Sequence, residues 1–213
     1  MAVTFDKAWS IATGSSGASL TITCAANAVL FAFAEVAAGS VSAMTLNGTS
    51  FTSLGGAQTQ TLQAFIFSAP PTGVSTFKIH WPIAIQFSVM LASYTGHSTT
   101  NYTGNCRAQS SGAANNFNVS VSATNGDMVI VGFRVTSATA DVVTINNGTT
   151  RLAPFSDSSR AICALADIAG ATSITLSATC VAAHAWDAIA IPLHASVGLI
   201  TVIPLQNLLS VGL

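Results

Sequence analysis

Apolar residues along this chain come mostly at alternate positions. Leu20-Thr-Ile-Thr-Cys24 and Phe117-Asn-Val-Ser-Val121 alternate apolar with polar, the period of a strand with one face in water. Phe77-Lys-Ile-His-Trp81 and Ile174-Thr-Leu-Ser-Ala178 do the same, which places Lys78 and His80 opposite Phe77, Ile79 and Trp81. Val29–Phe33 and Val129–Phe133 are nearly continuous apolar runs, as expected of strands covered on both faces. Asn47-Gly48 and Asn147-Gly148 are hairpin signals, because both residue types tolerate the positive φ of a type I′ turn. Pro70-Pro71-Thr72-Gly73 marks another turn, since two prolines remove ladder donors. No segment holds a helical apolar period for three turns. The pattern predicts an all-β fold, an antiparallel β-sandwich of jelly-roll type with about twelve strands.

The blocks recur in order, which predicts two sequence-related halves. Val29–Phe33 has a counterpart one hundred residues on in Val129–Phe133, and Met44–Thr49 has one at the same offset in Thr144–Thr149. Ala64-Phe-Ile-Phe67 then matches Ala161-Ile-Cys-Ala164, Gly73–Ile79 matches Gly170–Leu176, and Phe87–Ala92 matches Ala185–Ala190. The expected organisation is a first β half over residues 1–97, a polar connecting loop over 98–115, a second β half over 116–195 and an apolar C-terminal arm over 196–213. Each half is small for an independent core, so the two are expected to pack as one body. The arm has no partner block in the first half. Its apolar residues Val197, Leu199, Ile200, Val202, Ile203, Leu205, Leu208, Leu209, Val211 and Leu213 are costly to leave in water, and are the expected assembly interface.

Composition sharpens this. Half the residues are hydrophobic and mean hydropathy is +0.60, yet only 6% are charged, against about 25% in ordinary soluble domains. So little charge does not keep copies apart, and suits a chain whose surface is covered by neighbours. The net charge of −1 offers no basic stripe, so no nucleic-acid partner is expected. Met1–Ser10 lacks the basic start and apolar core of an export signal, and no run of 18 apolar residues predicts a membrane span.

Candidate chemistry is thin. Cys24, Cys106, Cys163 and Cys180 form no Cys-x-x-Cys pair, so the sequence predicts no metal and no cofactor; a Cys163–Cys180 disulfide is open. The acids Asp6, Glu35, Asp127, Asp141, Asp157, Asp167 and Asp187 are well separated. His184 and Asp187 fall on opposite faces of a strand, which argues against a dyad between them, while His80, His97 and His194 are isolated. No nucleophile elbow or phosphate loop occurs. No catalytic residue is expected, and the chain is read as not an enzyme. A glycan-binding module is the rival reading, through Trp9, Trp81, Trp186, Tyr94 or Tyr102, although Trp81 and Trp186 sit among apolar neighbours.

Ala28 to Gly96 resembles a loosely defined family of β-rich phage and prophage structural proteins. The likeness rests on the apolar strand Val29–Phe33, Met44-Thr-Leu-Asn-Gly-Thr-Ser50, the strand Gln63–Phe67, Pro70-Pro71-Thr72-Gly73 and Ala92-Ser-Tyr-Thr-Gly96. Ala28 stands where that family usually has an arginine before the first apolar strand. The resemblance implies a virion component assembled in the host cytoplasm, with other virion proteins (the major capsid protein or tail proteins) as partners and self-association into a homo-oligomer. Among virion roles, a capsid decoration, or cement, protein fits a compact sandwich with an apolar arm, and a tail, neck or fibre component is the second expectation.

Overall fold

The computed structural model describes residues 2–36, 41–56, 62–98, 107–136, 141–156 and 161–196. Among these residues the fold is all-β and antiparallel, with thirteen strands where the sequence suggested about twelve. In the first half they are β1 (Thr4–Cys24), β2 (Val29–Val36), β3 (Ala43–Leu46), β4 (Thr49–Ser50), β5 (Thr52–Gly56), β6 (Leu62–Phe67) and β7 (Gly73–Thr95). The second half contributes β8 (Arg107–Val121), β9 (Met128–Thr136), β10 (Thr144–Ile145), β11 (Thr149–Ser156), β12 (Ala161–Ala169) and β13 (Ile174–Leu193).

The two sheets repeat one plan. The first runs β4-β3-β7-β2-β6-β5 with β1 on β7; the second runs β10-β13-β9-β12-β11 with β8 on β13. In each, two long strands lie side by side and bend from one layer into another. β7 pairs with β3 and the end of β1 through Gly73–His80, then with β2 and the start of β1 through Phe87–Thr95. The bend falls at a bulge where β1 slips from Ser15 to Gly17 while β7 moves from Ile85 to His80. Two expectations are corrected here. Phe77–Trp81 and Phe87–Ala92 belong to one strand, and residues 107–115 of the expected connecting loop are part of β8, where Gln109-Ser-Ser-Gly-Ala-Ala is too polar to announce a strand.

The register of the repeat is also corrected. Val29 pairs with Tyr94 and Met128 with Leu193, so equivalent positions in these strands lie 99 residues apart, not one hundred. His80 and Gly17 correspond in the same way to Thr179 and Asn116. The counterpart of Phe33 is therefore Gly132, and Phe133 faces a different core. Phe87 corresponds to Trp186, and Phe77 to Leu176. Along β6 and β12 the partners Phe33–Ala64 and Gly132–Leu165 make Leu165, not Ala161, the counterpart of Ala64. A strand apolar on both faces fits either parity, so the pattern alone does not fix which side is which.

Three apolar cores separate four layers. Leu30, Ala32 and Ala34 of β2 pack against Leu46, Phe77 and Ile79 inside the first half. Val129, Val131 and Phe133 of β9 pack against Val119, Leu176 and Ala178 inside the second. Between them Phe31, Phe33, Met90 and Tyr94 meet Ile130, Leu165, Ile189 and Ile191 in a core that belongs to both halves. The contacts across it are reciprocal, since β6 touches β13 and its counterpart β12 touches β7. Phe33 also lies against its own counterpart Gly132, and Glu35 pairs with its counterpart Arg134. Only residues near a two-fold axis meet their own equivalents, so the halves are related by an approximate two-fold.

Polar groups are buried at that seam. Arg134 reaches Glu35 Oε1 at 3.3 Å through Nε and Asp187 Oδ2 at 3.1 Å through Nη1, and Nη1 also donates to Thr136 Oγ1. Tyr94 donates its hydroxyl to Asp167 Oδ2 at 3.0 Å, and Arg151 donates to the same oxygen at 2.7 Å. The Arg151 guanidinium then lies 4.1 Å from the centre of the Phe5 ring, joining β11 to β1.

Candidate functional site

The expected interface residues, Val197, Leu199, Ile200, Val202, Ile203, Leu205, Leu208, Leu209, Val211 and Leu213, lie outside the described residues. What the structure does place is the point from which that segment departs. Residues 96–98, just after β7, run antiparallel to residues 194–196, just after β13. Ser98 donates its N–H to the His194 carbonyl at 2.7 Å and Ser196 donates to the Gly96 carbonyl at 2.9 Å. Val3 donates to Gly126 at the same end, at 3.1 Å. Gly96 has a φ of 75° and a Cβ there would run into the Ala2 carbonyl, so the N-terminal residues, the first connection and the start of the tail are crowded together.

Asp127 holds this exit. Its Oδ2 accepts from the Thr124 N–H and hydroxyl at 2.8 and 2.7 Å and meets His194 Nδ1 at 2.8 Å, while Oδ1 accepts from the Ala195 N–H at 2.9 Å. Burial pushes the carboxyl pKa up, but hydrogen bonds from Thr124, Ala195 and His194 outweigh it and hold the group below its ordinary value. Two shallow depressions flank the exit. One is lined by Asn27, Pro70, Pro71 and His97, with a volume near 540 Å³, and the other by Ala123, Asn125, Thr172 and His194, near 600 Å³. They use corresponding loops of the two halves.

A second polar cluster sits at the bend of β13. Asp141 accepts from the N–H groups of Val142 and Val181 through Oδ1, and from Ala182 through Oδ2, at 2.6, 3.3 and 3.0 Å. Oδ2 also lies 2.8 Å from His184 Nε2. The backbone bond from Ala182 leads in pulling this carboxyl down to about 2, joined by those from His184, Val142 and Val181. Cys180 donates its thiol to the Ala182 carbonyl, and burial followed by the nearby Asp141 charge raises its pKa. The donor atoms of Asp141, Cys180 and His184 all lie within 4.8 Å of one another.

Sequence reasoning missed both clusters, because their members come from remote segments. The Cys180-x-x-x-His184 spacing was the available signal, but Asp141 is far away in sequence. Its separation of His184 from Asp187 agrees with the structure: His184 turns to Asp141, and Asp187 to Arg134. Among the described residues Cys24, Cys163 and Cys180 form no disulfide; β9 lies between the strands that carry Cys163 and Cys180, and Cys106 lies outside the described residues. Of the aromatic glycan-binding candidates, Trp81, Trp186 and Tyr94 are buried, Trp9 is partly exposed, and Tyr102 lies outside the described residues.

Compared with family models, with curated proteins and with solved structures, the chain matches none of them.

Proposed function

We propose that this chain is a bacteriophage structural protein that decorates a capsid and stabilises the particle through protein–protein contacts. The observation that carries the reading is the placement of the tail exit. Among the described residues the three cores are built from β1–β13 and the residues flanking them, and the apolar sequence from Val197 onward follows an end crowded by Ala2, Gly96 and Ala195. Such a segment fits an arm that buries its side chains on a neighbour.

Charge supports the same reading. The chain has six Lys and Arg and seven Asp and Glu. Glu35, Asp127, Arg134, Asp167 and Asp187 are buried within the body, so the surface carries even less charge than composition implies. Beside the exposed Lys7 and Lys78, exposed positions on the long strands are mostly neutral and polar, among them Ser19, Thr21, Thr76, Asn118, Ser120 and Thr175. A neutral hydroxyl and amide surface costs less to desolvate than a charged one when many copies pack together. Modest contacts repeated over many copies then clamp a shell by avidity.

Native mass by size exclusion with light scattering, with and without Val197–Leu213, tests the reading. A discrete oligomer that becomes a folded monomer on truncation is expected. A stable monomer in both forms overturns it.

A further inference from the structure

We propose that Asp141, Cys180 and His184 bind a divalent transition-metal ion of the zinc class. This rests on the cluster's geometry and not on the virion reading.

Three donors of different chemistry converge: a thiol sulfur, an imidazole nitrogen and a carboxylate oxygen, all within 4.8 Å. Zinc bonds of roughly 2.0–2.3 Å place tetrahedral ligand atoms well inside that limit. The donors come from two segments. Asp141 precedes β10, Cys180 is the first of the four residues by which β13 slips between Thr179 and His184 against β8, and His184 is the paired residue that closes the slip. Asp141 Oδ2 and His184 Nε2, now 2.8 Å apart, share a hydrogen bond that an ion can replace with two coordinate bonds.

The duplicated fold supplies the comparison. β7 makes the same excursion between His80 and Ile85, with the same bulge in its partner β1. By the 99-residue correspondence Trp81 stands where β13 has Cys180, and Ile85 stands where it has His184. The bend itself therefore needs neither a thiol nor an imidazole. In the first half it is closed by Trp81 stacked on Phe87, with ring centres 3.9 Å apart. The second half puts the tryptophan on the other strand position, Trp186, and leaves the corner to small and metal-ligating side chains.

Charge and softness select the ion. A thiolate and a carboxylate with a neutral imidazole total −2, which a divalent cation neutralises; binding releases the thiol proton to solvent. Sulfur and nitrogen donors favour zinc, cobalt or copper over magnesium or calcium. Asp141 and His184 are partly exposed beside the buried Cys180, so solvent on their side supplies a fourth ligand and an entry path.

Cobalt(II) titration of the reduced, chelator-stripped full chain tests this. One equivalent per chain is expected to produce a near-ultraviolet thiolate-to-cobalt band with visible tetrahedral bands, and zinc should displace it. Cys180→Ser should abolish the thiolate band, and His184→Ala should weaken or shift it. Zinc should raise the Tm of the parent chain and leave that of Cys180→Ser unchanged. Asp141 also holds three backbone N–H groups, so Cys180→Ser, checked for its β spectrum by circular dichroism, carries the test if an Asp141 variant fails to fold. Absence of a thiolate band in the parent, or its persistence in folded Cys180→Ser, overturns the proposal.

Discussion

Phe33 lies against Gly132, the residue that occupies its own position in the second half. A Cβ on Gly132 would sit 2.6 Å from the Phe33 ring, so one half supplies the bulk and the other the space. Two phenylalanines could not share that place on the approximate two-fold. The two halves differ at their axis, where the bulk of Phe33 leaves no room for a side chain on Gly132.

Complementary volume at the axis predicts a coupled pair. Phe33→Ala should destabilise the chain by about 3–5 kcal/mol through the cavity it leaves. Gly132→Ala should cost about 1–3 kcal/mol by overpacking. Combined, they should cost less than the sum, because the added methyl enters the vacated space. Urea denaturation of the four proteins checks this, and strict additivity would sink the account.

Arg134 is the cation between Glu35 and Asp187, both buried. Arg134→Met should destabilise by about 3–5 kcal/mol, because it strands two carboxylates without their countercharge. Replacing all three residues together with apolar side chains of similar volume should recover most of that loss. Equilibrium unfolding of the single and triple variants measures both effects.

Asn47 and Asn147 do more than turn the chain. Their Oδ1 atoms each accept a backbone N–H at 2.8 Å, from Thr76 and Ser177 respectively, tying each turn to the neighbouring long strand. Asn47-Gly48 closes the expected β3–β4 hairpin, whereas Asn147-Gly148 joins β10 to β11, which do not pair, so the hairpin expected there is corrected. Asn47→Ala or Asn147→Ala should each cost about 1 kcal/mol. The midpoint of chemical unfolding reads it, and an unchanged midpoint would show these bonds to be dispensable.

Asp127 and Asp141 are held below the ordinary carboxyl value of 3.8, Asp141 at about 2. Their hydrogen bonds therefore stabilise the fold fully above the unfolded value and are lost as pH falls through the folded one. Thermal melts should show Tm dropping between about pH 4 and pH 2, with a shallower drop in Asp127→Asn. At the alkaline end, burial followed by the Asp167 charge and hydrogen bond raises the Tyr94 phenol above 10.0. Stability should fall as pH rises beyond that value, and Tyr94→Phe should remove this dependence.

Strand identity was largely legible. Leu20–Cys24 and Ile174–Ala178 alternate because one face is wet, and Val29–Phe33 does not because both faces are covered. Thr4–Ser19 was not legible, since a strand rich in Gly, Ser and Ala carries too little apolar contrast to show its period. The same weakness hid the start of β8 inside what reads as a loop. The tail's apolar character was plain from sequence, whereas the clasp of Asp127 on His194 and Ala195 needed segments remote in the chain to meet.

The sequence by itself determined that the chain is all-β, that it pairs antiparallel and that two halves share an order of blocks, because alternation and turn chemistry are local properties. Tertiary structure decided the 99-residue register, the shared core, the Glu35–Arg134–Asp187 seam and the Asp141–Cys180–His184 corner. Those depend on which face of a two-sided apolar strand meets which neighbour, and that choice is made by packing between layers, where volume and charge must match across distances no local pattern spans.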